Sequence, residues 1–369
     1  MKIAILCNTS WNIFNFRMNL IKSFQENNHE IFLIAPYDDY TEVITSKDVV
    51  YEKITMNIKG KNPFQDLLLI NRYIKLFKKI KPDLVLTFTI KPTLYGNIAA
   101  RLLKIKVISN ITGLGTIFIK PSFSTYIAAI LYKIALAKCH KVFFQNHTDY
   151  RFFRRKGFIK NGQAEIVPGS GIDVDKFKIS SRKVDIKNLK ILFVGRIIKD
   201  KGIIEFLEAA RFIKSLNKNV LFYVVGKMGY NNRTAVTENE FKTYVDDKTI
   251  EYFNHTDDIL SIYKSTDIMI LPSYREGMSR ALLEAAAMNM PLIATNVPGC
   301  REIIDDGVNG YLVKVRSVKD LSFKLKKIIE LSEDDLIKMG DESRKLVLNN
   351  FSEKIVIGKY ENEIKLIGL

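Results

Sequence analysis

Cysteine is scarce in this chain. The three thiols, Cys7, Cys139 and Cys300, are odd in number and far apart, so they build neither a disulfide framework nor a Cys-x-x-Cys metal or redox pair. They fit a reducing compartment. The four histidines (His29, His140, His147, His255) show no ligand spacing, and no zinc site is expected. Long apolar runs are missing too: the longest, Tyr126 to Ala137, is interrupted by Lys133 and falls well short of the roughly 20 residues that span a bilayer. The opening MKIAILCNTS is too short in its apolar part for a signal peptide and suits a first strand. No secretion is expected.

Acidic residues are few in one half only. Net charge is +17; residues 1–180 hold 27 Lys+Arg against 13 Asp+Glu, and residues 181–369 hold 30 against 27. A positive field confined to the first half suits a polyanion, either nucleic acid or an anionic membrane surface. A lysine-rich codon bias is the plain alternative, but the nearly neutral second half shares that bias.

Hydrophobic content of 47% is ample for two cores, and 369 residues exceed what one core usually organises. Short runs rich in Ile, Val and Phe recur at 2–7, 30–35, 83–88, 106–111 and 141–145, with helical patterns such as 66–80 and 124–138 between them. A second series follows at 190–195, 220–226, 250–253, 267–272 and 291–295. Near-continuous apolar strands alternating with helices predict doubly wound parallel sheets of the α/β class. The turn-rich, charged stretch 167–188 reads as the connection. The expected division is a first Rossmann-like domain over 1–178, a second over 179–350, and a helix over 351–369 that returns toward the first. Ligands bind beyond the carboxyl ends of such strands, so the chemistry is expected in the loops there, across a cleft between the halves.

The strongest local pattern is SYREGMSRALLEAAAM, residues 273–288, entered directly from the strand DIMILP. Glu276 and Glu284 are separated by a turn and the start of a helix. The amides of Gly277, Met278 and Ser279 would lie at that helix's N-terminus, where unsatisfied N–H groups and the dipole favour phosphate. The two carboxylates can accept hydrogen bonds from sugar hydroxyls. A bare glutamate pair at this spacing is more often a cap and a solvated helix position; its place in a strand-loop-helix makes the difference. In VGRIIKDKG (194–202), Arg196 and Lys201 leave a strand just before a helix, where two cations would neutralise charge on a departing diphosphate. Gly195 and Gly226, each closing a strand of the second series, complete the donor-side candidates.

Together these elements resemble the retaining glycosyltransferases of family four, with the GT-B fold. The resemblance is carried by Glu276-x7-Glu284, Gly195-Arg196…Lys201-Gly202 and TNVPGCREIIDDGVNGYLV (295–313), and covers essentially the whole chain. It implies that the second domain holds a nucleotide sugar, with Arg196 and Lys201 on the diphosphate, Glu284 on the ribose and Glu276 on the donor sugar. NITGLGTIF (110–118) and TFTIKPTLYGNIAARLL (87–103) resemble the acceptor side of a bacterial subgroup that works on polyprenyl-diphosphate-linked saccharides. That makes Asn110, Thr112 and Gly113 acceptor candidates, with Lys91 and Arg17 as cations, although both cations also read as surface charges. The closest resemblance among donors is to enzymes using UDP-N-acetylgalactosamine or another UDP-N-acetylhexosamine. Many relatives carry a glycine-rich loop after the first strand; here it reads NTSWNIFNFR, and Asn8, Thr9 and Ser10 are candidates to replace its backbone contacts.

Asp173-Val174-Asp175 is formally an Asp-x-Asp, the metal motif of a different glycosyltransferase fold, but it stands in the interdomain connection; no metal or other cofactor is expected. His147 could line the cleft. Residues 124–138 and 148–160 combine apolar and aromatic groups with Lys and Arg, a composition suited to an anionic membrane surface; a core helix with a basic edge is the alternative for 124–138. The expected location is therefore cytoplasmic, peripheral on the inner face of the cytoplasmic membrane. Two rivals are a same-fold UDP-sugar epimerase, whose acid-base groups have no obvious place here, and a basic nucleic-acid-binding protein, for which no reader motif is present.

Overall fold

The structure is a computed structural model that describes all residues except 59, 61, 114–122, 218, 230–233, 255, 257 and 369. The chain divides into two compact units, Met1–Ser170 with Lys354–Leu369, and Gly171–Glu353.

In the first unit seven strands form one parallel sheet: β1 (Lys2–Leu6), β2 (Glu30–Ala35), β3 (Val50–Lys53), β4 (Leu84–Phe88), β5 (Lys106–Ile111), β6 (Lys141–Phe144) and β7 (Ala164–Ile166), in the order β3-β2-β1-β4-β5-β6-β7. Because side chains alternate across a strand, Ala4 and Leu6 face one hydrophobic cluster while Ile3 and Ile5 face another. Both faces are covered, as a parallel sheet requires. The helix Pro63–Ile80 shows how local chemistry sets its limits. Asn62 caps it by accepting from the amides of Phe64 and Gln65, Pro63 occupies the first turn where a missing N–H costs nothing, and Lys81 ends it at φ +53 before Pro82.

The last helix, Glu353–Leu366, packs on this sheet. Tyr360 is fully buried, with its ring edge-on to Phe143 at 4.7 Å, and Val356, Ile364 and Ile367 join the same cluster. Buried Glu363 pairs with Lys141 at 2.6 Å and with His140 at 3.2 Å, so the helix is fixed by charge as well as by packing.

The second unit has a six-stranded parallel sheet: β8 (Lys190–Val194), β9 (Leu221–Val225), β10 (Glu251–Phe253), β11 (Ile268–Leu271), β12 (Leu292–Thr295) and β13 (Gly310–Val313), in the order β10-β9-β8-β11-β12-β13. Strand order reverses direction between β1 and β4 in the first sheet and between β8 and β11 in the second. In doubly wound sheets a ligand crevice opens at that reversal, beyond the carboxyl ends. The loops after β1, β4, β8 and β11 are therefore the ones to inspect.

Candidate functional site

In the second unit, the loops that leave β8 and β11 meet. The chain leaves β8 through Gly195 and Arg196, makes a short turn over Lys199–Lys201 and enters the helix Ile203–Leu216. Gly202 has φ +72, and a Cβ built there would lie 2.0 Å from the Pro272 carbonyl oxygen at the end of β11. Only glycine permits both the left-handed backbone and this approach. A Cβ on Gly226, after β9, would lie 1.8 Å from the Gly195 oxygen, so Gly226 lets the loops after β8 and β9 touch. The Tyr274 amide donates to the Asp200 carbonyl at 2.9 Å, locking the loop after β11 onto the turn.

This packing brings Lys201 to Glu276, with Nζ 2.5 Å from Oε1. Ser273 Oγ donates to the same oxygen at 2.7 Å, leaving Oε2 outside both contacts. The Lys201 and Glu276 side chains are 20% and 13% exposed, so each charge is largely withdrawn from water and compensated by the other. Removing either would leave its partner poorly solvated.

The segment 295–313 forms the floor of this loop. The Glu276 amide donates to Pro298 O and the Ser279 amide to Gly299 O, at 3.2 and 2.9 Å. Gly299 has φ +83, and a Cβ there would lie 2.7 Å from the Glu276 backbone. Thr295 Oγ1 donates to the Ser273 carbonyl. Cys300 is fully buried beneath; burial, then the charge of Glu276, pushes its thiol well above the ordinary range, so it is unreactive.

The helix begins at Arg280, and Ser279 is its N-cap, accepting from the Leu282 amide. The expectation of three amides open to phosphate is corrected at Ser279, whose N–H and side chain are both committed to the loop. Gly277 and Met278 are half-buried in the turn between Glu276 and the cap. Glu284, one helical turn on, is held by Arg280 Nε at 2.8 Å and by the Tyr263 hydroxyl at 3.1 Å. Burial, then the Glu284 charge, raises the Tyr263 hydroxyl far above its ordinary value, keeping it a donor. The other end of the helix is clamped: Arg182 Nη2 donates to Met288 O at 2.8 Å and Arg344 Nη1 to Ala287 O at 2.6 Å. Arg196 stands exposed at the exit of β8.

In the first unit, the two cations expected on the acceptor side are withdrawn from the surface. Arg17 is 3% exposed and its guanidinium stacks 4.0 Å from the Phe88 ring centroid. Lys91 pairs with Asp66 at 2.5 Å, both side chains being under 15% exposed, and Tyr95 donates to the other Asp66 oxygen at 2.7 Å. The backbone delivering Lys91 is unusual. Thr89 adopts φ +68, an outlier for a β-branched residue, and Pro92–Gly96 is a π-helical turn; both features concentrate at functional sites.

Asn110 is buried, donates to the Tyr360 hydroxyl at 2.9 Å and accepts from Gln145 at 3.3 Å. Its amide therefore serves the docking of the last helix. Thr112 and Gly113 follow β5, half-buried; 114–118 of the same motif lie outside the described residues. Thr9 caps the helix Ser10–Phe16 by accepting from the Asn12 amide, and the Ser10 hydroxyl bonds Thr41 at 2.9 Å. Asp173 Oδ1 accepts from the amides of Asp175 and Lys176, a turn that needs no metal. His147 is exposed at the start of the helix His147–Arg155.

The two segments of membrane-like composition separate. On the helix Phe123–Leu136, Tyr126, Ile127, Ile130 and Ile134 are 42–66% exposed, spaced to share one face, beside exposed Lys133 and Lys138. In 148–160, by contrast, Phe153 and Phe158 are buried in the core, while Arg151, Arg154 and Arg155 are exposed. That helix presents charge outward, with Phe153 and Phe158 turned to the core. No helix among the described residues is long and apolar enough to cross a membrane.

Residues 2–146 match a family described as "Glycosyl transferase 4-like" and residues 175–346 one described as "Glycosyl transferases group 1". An N,N'-diacetylbacillosaminyl-diphospho-undecaprenol alpha-1,3-N-acetylgalactosaminyltransferase from Campylobacter jejuni is 29% identical over 89% of this chain and 90% of that protein. A UDP-Gal:alpha-D-GlcNAc-diphosphoundecaprenol alpha-1,3-galactosyltransferase from Escherichia coli is 27% identical over 77% of this chain and 75% of its own. The crystal structure of HepE from Anabaena, in complex with UDP and glucose, superposes with a TM-score of 0.81 at 16% identity, covering 100% of both chains. With one sheet in each unit, a glycosyltransferase match on both and full-length structural likeness, the chain is a glycosyltransferase of the GT-B fold.

Proposed function

We propose that this chain transfers an N-acetylated hexosamine, N-acetylgalactosamine before others, from UDP to a saccharide carried on polyprenyl diphosphate, with retention at the anomeric carbon. The observation that carries this reading is the joining of Lys201, Glu276 and Ser273 at the reversal point of the second sheet. The lipid-diphosphate substrates in the names of the Campylobacter and Escherichia relatives support the acceptor class.

Lys201 and Arg196 carry the charge that develops on the UDP diphosphate as the bond from the anomeric carbon to its oxygen breaks. Gly195 and Gly226 keep side chains out of the donor's way, and the turn Gly277–Met278 faces its phosphate. Glu276 accepts from a sugar hydroxyl through the oxygen that Lys201 and Ser273 leave unused, and Glu284, oriented by Arg280 and Tyr263, binds the ribose. The acceptor hydroxyl attacks from the face the diphosphate leaves and passes its proton to a leaving phosphate oxygen. No protein nucleophile is used, in contrast with two-carboxylate glycosidases, and the ammonium and guanidinium make a divalent ion unnecessary. On the acceptor side, Arg17 and Lys91 supply positive charge, Thr112 and Gly113 contact the saccharide, and Asn110 positions them through the end of β5.

The protein works at an anionic membrane surface, on the inner face of the cytoplasmic membrane. The first unit contains 28 Lys+Arg against 13 Asp+Glu, and basic groups near such a surface contribute about 1 kcal/mol each. The apolar stripe of the helix Phe123–Leu136 then enters the headgroup boundary. The decisive experiment is a matrix of UDP-sugars against polyprenyl-diphosphate saccharides, run with and without EDTA, with the anomer of each product assigned by NMR. Transfer of N-acetylhexosamine in the α configuration, indifferent to EDTA, is expected. An inverted product, or activity abolished by EDTA and restored by a divalent ion, overturns the mechanism.

A further inference from the structure

At the carboxyl edge of the first sheet, a cavity of about 470 Å³ lies between the segment after β3, the start of the helix Pro63–Ile80 and the loop after β4. Its volume falls in the ordinary range for small-ligand sites. Beside neutral polar side chains such as Asn57, Asn62 and Gln65, the lining has two parts: Met56, Phe64 and Leu68 are apolar, while Arg72 and Lys91 are cations against one carboxylate, Asp66.

That carboxylate is already engaged, by Lys91 on one oxygen and Tyr95 on the other. Arg72 reaches across the cavity wall through Nη1 to the Thr55 carbonyl at 2.7 Å, which leaves the rest of its guanidinium fork outside that bond. Lys91 keeps two N–H donors beyond its pair with Asp66, since an ammonium has three. The cavity therefore has an excess of positive donors. Beside it the same helix exposes Phe64 by 67%, Leu67 by 65% and Leu68 by 38%, an apolar shelf continuous with the cationic lining. The strained Thr89 and the π-turn after it hold Lys91 in place.

We propose that this cavity seats the prenyl-diphosphate end of the acceptor, with Arg72 and Lys91 on the diphosphate and Phe64, Leu67 and Leu68 under the first isoprene units. The inference rests on the transferase reading above and assigns it a specific acceptor subsite. A molecule with charge at one end of a short greasy chain matches both halves of the lining; a free nucleotide or a neutral saccharide matches only one. Asp66 acts as a positioning residue, fixing the ammonium through its ion pair.

The test is calorimetric titration of the full chain with farnesyl diphosphate, inorganic diphosphate and farnesol, and with vesicles of phosphatidylcholine and phosphatidylglycerol. Farnesyl diphosphate binds more tightly than either fragment. Arg72→Ala and Lys91→Met each weaken it about ten- to a hundredfold, the loss expected for one charge-assisted hydrogen-bond set. Phe64→Ser weakens farnesyl diphosphate and leaves inorganic diphosphate unchanged. Phe64 is so exposed that this variant folds even if Lys91→Met does not, and UDP titration checks the fold of all three. Unchanged farnesyl diphosphate affinity in Arg72→Ala and Phe64→Ser refutes the assignment, as does a loss of vesicle binding in step with it, which would identify phospholipid headgroups as the ligand. If the wild type transfers sugar to lipid-linked saccharides but these variants keep the acceptor KM, the subsite fails and the transferase reading stands. If cavity-dependent binding is found without any transfer to lipid-linked saccharides, the subsite stands and that reading fails.

Discussion

Replacing Gly202 by alanine should damage catalysis without touching a single charged group. The new Cβ would lie 2.0 Å from the Pro272 carbonyl, against a floor of about 3.0 Å for real Cβ contacts, so the turn carrying Lys201 must withdraw by about 1 Å or change its backbone. Holding a non-glycine residue at φ +72 adds roughly 1–2 kcal/mol. Since Lys201 is the next residue back, the withdrawal is passed to its contact with Glu276 at 2.5 Å. A 1 Å misplacement of catalytic geometry costs about a hundredfold in rate, and the strained loop lowers stability by roughly 2–4 kcal/mol. The assay is kcat and UDP affinity of Gly202→Ala beside a thermal melt. A variant that melts a few degrees lower, binds UDP and turns over about a hundredfold more slowly fits the reasoning. Turnover within a factor of about three of wild type would refute it, because the loop contact would then not position Lys201.

Two further outcomes follow from the first unit. Ile130→Asp with Ile134→Asp should reduce binding to anionic vesicles by at least about tenfold, from the lost apolar burial, while leaving the melt unchanged because both residues are over 40% exposed; equal binding by the variant would remove that helix from the membrane surface. Tyr360, fully buried, has its hydroxyl raised from 10 to about 12, by burial first. The folded state therefore keeps a proton that the unfolded chain loses, and the stability this gives is complete below pH 10 and falls as pH rises from 10 toward 12. The loss from Tyr360 alone is roughly 3 kcal/mol across that window. Chemical denaturation of Tyr360→Phe should show a shallower decline between pH 10 and 12; an unchanged slope would contradict the assignment.

Much of this molecule is legible without coordinates because its central strands are short, apolar and bounded by turn residues. The runs at 30–35, 106–111 and 190–195 match β2, β5 and β8 to within a residue. β3 and β7 are less visible: VYEK and AEI are short and carry charge, as edge strands do, and only pairing with β2 and β6 defines them. β13 hides in a turn-rich segment. At the candidate site, Glu276 and Lys201 are marked by their places after strands, but their mutual contact spans 75 residues. The partners that complete it, Ser273, Tyr263, Arg280 and Gly299, are ordinary residues until the loops are packed. Arg17 and Lys91 look like surface charges in one dimension; an aromatic ring from β4 and a carboxylate 25 positions away make them interior ones. The aromatics of 148–160 went the other way, because composition does not say which face of a short helix meets the core.

The most direct test of the central claim, that Lys201 and Glu276 form the donor site, is single-turnover transfer from UDP-N-acetylgalactosamine by Lys201→Met, with UDP affinity measured on the same sample. The account predicts a fall in rate of about a hundred- to a thousandfold, as for loss of one transition-state charge contact, in a protein that still melts cooperatively and retains its acceptor KM. A rate within a few-fold of wild type would contradict it.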